Sequence, residues 1–141
     1  MDADKEQIAE VLIRYATGID SKDWAQLRTC WTEDVDVDYG EVGQYKGADA
    51  ITGLMEQLHD AMGPTYRRLT NFAVTVDGDR ATARSYVHAV LQAIPDDGAS
   101  WVEALGHYDD EFVRTSDGWR ISRRTTNIAR VHAGAAPGAR S

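Results

Sequence analysis

The chain has 141 residues, 43% of them hydrophobic and 27% charged, with a formal net charge of -8 and a pI near 4.8. That length suits one domain able to hide roughly two thirds of its unfolded surface, and the charge argues against nucleic acid or an anionic membrane as a partner. The single cysteine, Cys30, excludes an internal disulfide and fits a reducing cytoplasm; beside Trp31 it reads as a small core residue. No apolar run reaches membrane-spanning length. The polar, acidic start MDADKEQ is unlike a secretion signal, so the expected setting is cytoplasmic.

Along the chain, Ile8, Val11, Leu12, Tyr15, Ala16 and Ile19 recur at helical spacing and predict a first amphipathic helix. Asp4 followed by Gln7 resembles a capping box at its start. Asp20 closes the helix on the flank of its apolar stripe. A short second helix is expected over 23–30, with Trp24, Leu27 and Trp31 apolar. The period then changes: 34–39 alternates strictly and reads as a half-buried strand. Gly40 and Gly43 mark a turn, and 44–46 a short return strand. Gly47-Ala48-Asp49 opens a third helix with Ile51, Leu54, Met55, Leu58 and Met62 on its buried face, stopped by Gly63-Pro64.

The remainder reads as an antiparallel meander, with strands expected over 66–76, 81–94, 101–114 and 119–131. Asp77-Gly78-Asp79 and Ser116-Asp117-Gly118 supply hairpin turns, and 95–100 a polar loop. The stretch HAGAAPGARS has no periodicity. The expectation is one domain over 1–132 with a flexible tail over 133–141. Helices first and a long sheet after them is the α+β pattern.

Recognised motifs are few. The DVDVD run would need glycine and glutamate at the sixth and twelfth loop positions to hold calcium, and Tyr39 and Tyr45 stand there, so it reads as a solvated strand face. His59, His88, His107 and His132 show no metal-ligand spacing, and the expectation is no metal. No GxGxxG, Walker loop or GxSxG is present, so no cofactor and no serine nucleophile are expected. What remains is a set of polar groups on otherwise apolar elements: Tyr15, Asp20, Tyr39, Tyr45, Arg67, Asn71, His88, His107, Tyr108 and Asn127. His88 shares a strand face with Tyr86 and Val90, opposite Ala81, Ala83, Ser85, Val87, Ala89 and Leu91. His107 stands opposite Ala104, Gly106 and Tyr108. Which of these faces looks inward is open at this point, since a bulge would swap them.

The stretches RYATGID, KDWAQLRTCWTEDVDVDY and YKGADAI, followed by TNFAVTVDGDRATARSY and GHYDDEFVRTSDGWRISRR, resemble the SnoaL-like group of the nuclear-transport-factor-2 superfamily. The resemblance covers about 4–131 and is nearest the scytalone dehydratase and bile-acid dehydratase type. It implies an NTF2-like cone: three N-terminal helices packed on a curved antiparallel sheet that encloses one pocket, usually as a homodimer or homotrimer. In the dehydratase-like members, an aspartate ending the first helix pairs with a histidine on the first long strand. A tyrosine near the aspartate helps a leaving oxygen. Tyr15 and Asp20 fall on the tyrosine and aspartate positions, but the histidine position holds Arg67. Arginine stays protonated and is a poor base. It is expected either to ion-pair with Asp20 or to bind a substrate carboxylate, enolate or phenolate. His88 and His107 are the alternative catalytic histidines.

The implied activity is that of a cofactor-independent lyase or isomerase: a dehydratase, double-bond isomerase or polyketide-type cyclase acting by proton abstraction on a small apolar cyclic substrate. Trp24, Trp31, Tyr39, Tyr45, Leu58, Met62 and Leu69 are the expected lining, with Asn71, Tyr108 and Asn127 orienting the substrate. The alternative is a non-catalytic ligand-binding module or the small structural subunit of a ring-hydroxylating oxygenase.

Overall fold

In the computed structural model, which describes residues 2–93 and 97–135, the helical stripe of the first segment becomes α1 (Asp2–Asp20). Ile8, Leu12, Tyr15 and Ile19 are fully buried on one side of it, as a 3.6-residue period requires. Asp23 caps α2 (Trp24–Arg28), its carboxylate accepting the Gln26 N–H. The second helix is thus shorter than the expected 23–30. The following strand β1 (Trp31–Asp38) begins earlier, taking Trp31 into the sheet. A single 3-10 turn (Gly40–Val42) leads to β2 (Gln44–Lys46) and then to α3 (Ala48–His59).

Four long strands complete the chain: β3 (Thr65–Asp77), β4 (Arg80–Gln92), β5 (Ser100–Thr115) and β6 (Gly118–Ala135). Gly78 and Gly118 take φ of +61° and +100° in the two hairpins, which the absence of a Cβ permits. Part of the polar loop expected over 95–100 lies outside the described residues. Strand β6 runs past the expected boundary: 133–135 pair with Val102, Trp101 and Ser100. The rest of the expected tail, 136–141, lies outside the described residues.

The strands form one sheet in the order β2-β1-β6-β5-β4-β3. All neighbours are antiparallel except β1 and β6, which run parallel. The sheet is curved and open, with the three helices on its concave side, as the expected cone requires. Bulges between Thr70 and Ala73 on β3 and opposite Leu105–Gly106 on β5 add bend. Asn71 takes the left-handed conformation at the first bulge (φ +55°). Asparagine tolerates that geometry better than most side chains.

The inner face is now defined. Ala81, Ala83, Ser85, Val87 and Ala89 of β4 are buried, as are Tyr108, Asp110 and Phe112 of β5. His88 and His107 therefore lie on the outer face, and so does Asn127; Asn71 is exposed in the β3 bulge, outside the ladder register. Small residues on β4 leave room between sheet and helices, and that room becomes the cavity.

Candidate active site

The cavity has a volume of about 250 Å³ and lies between α3 and the inner faces of β3 to β6. Met55, Leu58 and Met62 close one side, and Val87, Ala89, Leu91, Ala104 and Ile128 the other. Its polar groups are Tyr39, His59, Arg67, Tyr108 and Thr126. Four expected lining or orienting residues, Tyr39, Leu58, Met62 and Tyr108, are thus in place, and so is Arg67.

The other expected residues stand elsewhere for identifiable reasons. Trp31 is fully buried in the core, edge-on to Tyr15 with ring centroids 5.7 Å apart, and does not line the cavity. Trp24 packs behind His59, ring centroids 6.1 Å apart. Leu69 packs against the core without reaching the cavity wall, and Tyr45 turns its hydroxyl to the Val42 carbonyl. Asn71 serves the β3 bulge, and Asn127 is exposed on the outer face opposite His107. Outside the cone, His88 accompanies Glu103 (2.6 Å) and Arg68 (3.1 Å), while His107 stands 3.4 Å from Asp109. Neither histidine reaches the cavity.

Asp20 forms no ion pair with the Arg67 guanidinium. One carboxylate oxygen accepts the Thr65 hydroxyl and the other the Arg67 backbone N–H, both at 2.9 Å. The physical reason lies in the topology. Strand β3 is a sheet edge with unpaired backbone groups, and Asp20 ends the helix that lies against it. Negative charge at a helix C-terminus is unfavourable, and these two bonds offset that cost. The expected Asp20–Arg67 pairing therefore runs through the backbone, which leaves the guanidinium to the cavity.

There Arg67 Nη1 donates to His59 Nε2 at 3.2 Å. His59 Nδ1 donates to the Met55 carbonyl at 2.7 Å, as a carbonyl can only accept. That fixes the neutral tautomer with its lone pair on Nε2. Burial, then the Arg67 charge, push the His59 pKa down to about 4. Arg67 stays ionised, as a guanidinium does in proteins: burial opposes the charge, yet its pKa lies above the ordinary value, with the Tyr108 hydroxyl among the groups that favour the charged form. Among the described residues, no carboxylate lies within ion-pair reach of its guanidinium, and its Nε is buried without a partner.

Three tyrosine hydroxyls line up beside it. Tyr15 lies 2.8 Å from Tyr39 and 3.4 Å from Tyr108. Burial raises the pKa of all three, so they act as neutral donors. Tyr15 itself is completely buried and does not touch the cavity; it reaches the site only through the other two hydroxyls. Below them Arg124, also fully buried, makes a two-bond pair with Asp110 (2.8 and 2.9 Å). Its guanidinium lies 3.8 Å from the Tyr108 ring centroid and 4.1 Å from that of Tyr15.

His59 is the functional candidate that sequence reasoning passed over. Its signal was present, four residues after Met55 and eight after Ile51 on the buried face of α3. Thr126 was missed as well; it lies directly across the inner face from Tyr108.

The chain matches the family model for the SnoaL-like domain over residues 3–125. Uncharacterised proteins of Mycobacterium tuberculosis and Mycobacterium bovis are each 34% identical over 125 residues, spanning 86% of this chain and 83% of theirs. Among solved structures, the Kfla4162 protein of Kribbella flavida superposes with a TM-score of 0.85 at 28% identity, covering 93% of this chain and 94% of its own. A proposed aromatic ring hydroxylase from Novosphingobium aromaticivorans gives 0.85 at 26%, covering 99% and 97%. A hexachlorocyclohexane dehydrochlorinase of the LinA type 2 shares the fold, with a TM-score of 0.84 at 20% identity over 96% and 95% of the two chains.

Proposed function

Because the chain belongs to the SnoaL-like family, we propose that it is a cofactor-independent lyase or isomerase that removes a proton beside a carbonyl in a small apolar cyclic substrate. Loss of water, double-bond migration or ring closure would follow from the same enolate. The observation that carries the reading is the ionised Arg67 in an apolar cavity, beside a neutral imidazole and, among the described residues, with no carboxylate in ion-pair reach of its guanidinium. Leaving a buried charge uncompensated costs on the order of several kcal/mol. A site that keeps such a charge is preorganised for negative charge arriving on a substrate oxygen.

The proton acceptor in this proposal is His59, the neutral imidazole on the cavity lining, through its Nε2 lone pair. In the resting site its lone pair is engaged by Arg67. A substrate oxygen that takes the Arg67 N–H frees that lone pair. Negative charge developing there also offsets the Arg67 field that weakens His59 as a base. Tyr108 and Tyr39 donate to the same oxygen, and Asp20 is a positioning residue that fixes the Arg67 backbone. Ring-sized apolar ligands also agree with the neighbour described as an aromatic ring hydroxylase.

Deuterium exchange tests the proposal. Cyclohexanone and α-tetralone in D2O should exchange the hydrogens beside their carbonyls faster with protein than in buffer. His59→Gln and Arg67→Met should each lower that rate by about a hundredfold or more. Exchange that survives both variants, or never exceeds buffer, overturns it.

One observation favours a second reading, a non-catalytic ligand-binding module: both Asp20 oxygens and the His59 lone pair are already engaged. Ligand binding without exchange selects that reading. Homodimers or homotrimers are proposed through the outer face, where Tyr66, Tyr86 and Leu105 are exposed. Sedimentation at equilibrium tests this, and a monomer at all concentrations refutes it.

A further inference from the structure

Two arginines flank the tyrosine cluster, and the contrast between them is informative. Arg124 is neutralised by a two-bond contact with Asp110. Among the described residues, the Arg67 guanidinium has no carboxylate within ion-pair reach: it meets His59 and the tyrosine hydroxyls, while Asp20 holds only its backbone N–H. The guanidinium therefore presents an unpaired positive charge to the cavity, inside a chain whose total is -8. Also on the lining, Thr126 Oγ1 is buried with no partner. The rest of the lining is apolar except Tyr39.

The size of the space narrows the occupant further. Its volume of about 250 Å³ lies between a cavity of roughly 150 Å³ that accepts benzene and the roughly 300–1,000 Å³ of pockets for drug-sized ligands. One ring, or two fused rings, with a short polar substituent suits that space.

Resting on the proton-transfer reading above, we infer that the natural ligand enters as a ring-bearing monoanion, its charged oxygen on Arg67 and its ring toward Leu58 and Ile128. A neutral ketone would leave the Arg67 charge uncompensated in the bound state, whereas a single anionic oxygen group matches it one for one. Arg67 Nε is sealed from the cavity, and Nη1 already meets His59. Arg67 therefore offers Nη hydrogens rather than its full side-on fork. A ring carboxylate and the enolate of a cyclic 1,3-dicarbonyl share this chemistry.

The test uses calorimetry on the full chain at pH 7 with matched probes: benzoate against benzamide, and 1,3-cyclohexanedione against cyclohexanone. The anion of at least one pair should bind roughly tenfold or more tightly than its neutral match, as a charge-assisted bond to Arg67 requires. Whichever pair shows the larger ratio identifies the source of the charge. In Arg67→Met the ratio should fall to about one, with circular dichroism reporting the fold. Equal affinity within both pairs, a ratio that survives Arg67→Met, or no binding by any probe overturns the inference. Anion-selective binding without deuterium exchange instead rejects the proton-transfer chemistry and leaves the ligand class standing.

Discussion

Lowering the pH should destabilise this protein through His59, by an amount the site itself sets. The imidazole is 2% exposed, and burial followed by the Arg67 charge lowers its pKa from 6.5 to about 4. Lys22 adds to the same effect, and the Met55 carbonyl opposes it. The unfolded chain therefore takes up a proton as pH falls through 6.5, while the folded chain refuses it until about 4. More protons on the unfolded state means that stability rises with pH across this window. Full stability is present above 6.5 and is lost progressively as pH falls, levelling once both states are protonated below about 4. At about 1.4 kcal/mol per pH unit, the loss is about 2 kcal/mol at pH 5 and about 3 kcal/mol at pH 4. Against a typical total of about 5–15 kcal/mol that is substantial.

The assay is urea unfolding from pH 7 to 4 for the native chain and for His59→Gln, which cannot titrate. Depressed carboxylates such as Asp97, held at about 2 by Ser100 and neighbouring backbone N–H groups, also respond to acid. They are common to both chains and cancel in the difference. The stability advantage of the native chain should shrink by about 3 kcal/mol between pH 7 and 4. A difference that stays constant with pH would refute the reasoning.

Three further perturbations test the frame around the site. Asp20→Ala removes the acceptor for the Thr65 hydroxyl and the Arg67 N–H, and should cost about 2 kcal/mol in urea unfolding. Asp20→Asn should recover much of that and retain deuterium exchange, whereas loss of exchange with stability intact would make Asp20 the base. Asp110→Ala strands the fully buried Arg124, so a loss of about 3–5 kcal/mol is expected; a change within ~1 kcal/mol would mean that solvent reaches the guanidinium. At Gly106 a Cβ would lie 2.1 Å from the Asn127 carbonyl oxygen and 2.8 Å from Ile128 Cα, both backbone. Gly106→Ala should therefore destabilise by at least ~2 kcal/mol and disturb the cavity wall at Ile128, read as a lowered melting temperature together with weaker probe binding.

Much of the frame was legible because it rests on local periodicity. The α1 stripe, the buried face of α3 and the four long strands between their Asp-Gly turns all appear near their expected bounds. The parallel pairing of β1 with β6 was not legible, since it joins segments some ninety residues apart. Nor was the true use of Asp20. Its partner at Arg67 is a backbone N–H, a group every residue but proline carries, so the side-chain sequence there holds no sign of it. His88 and His107 illustrate the parity problem: each is one residue away from an inward position, and only the pairing of the strands decides the face.

The same parity explains how the site acquired its charge. Asp109 and Asp110 are adjacent and so face opposite sides of β5. Asp109 meets Arg84 on the outer face, and Asp110 meets Arg124 directly across the β5–β6 ladder inside. Each acid is consumed by an arginine of a neighbouring strand. Asp20, the other carboxylate near Arg67, is held to Thr65 and to the β3 backbone. The Arg67 guanidinium is left with His59 and tyrosine hydroxyls, although the chain has 23 acids: the two on β5 pair with Arg84 and Arg124, and Asp20 meets the β3 backbone. A one-residue slip of β5 against β6 would turn Asp110 outward and bury Asp109 instead. The bulges and the glycine contact at Gly106 hold that register. The positive charge in the cavity is in this sense a property of the sheet, and ligand selectivity should fail together with register in any variant that loosens it.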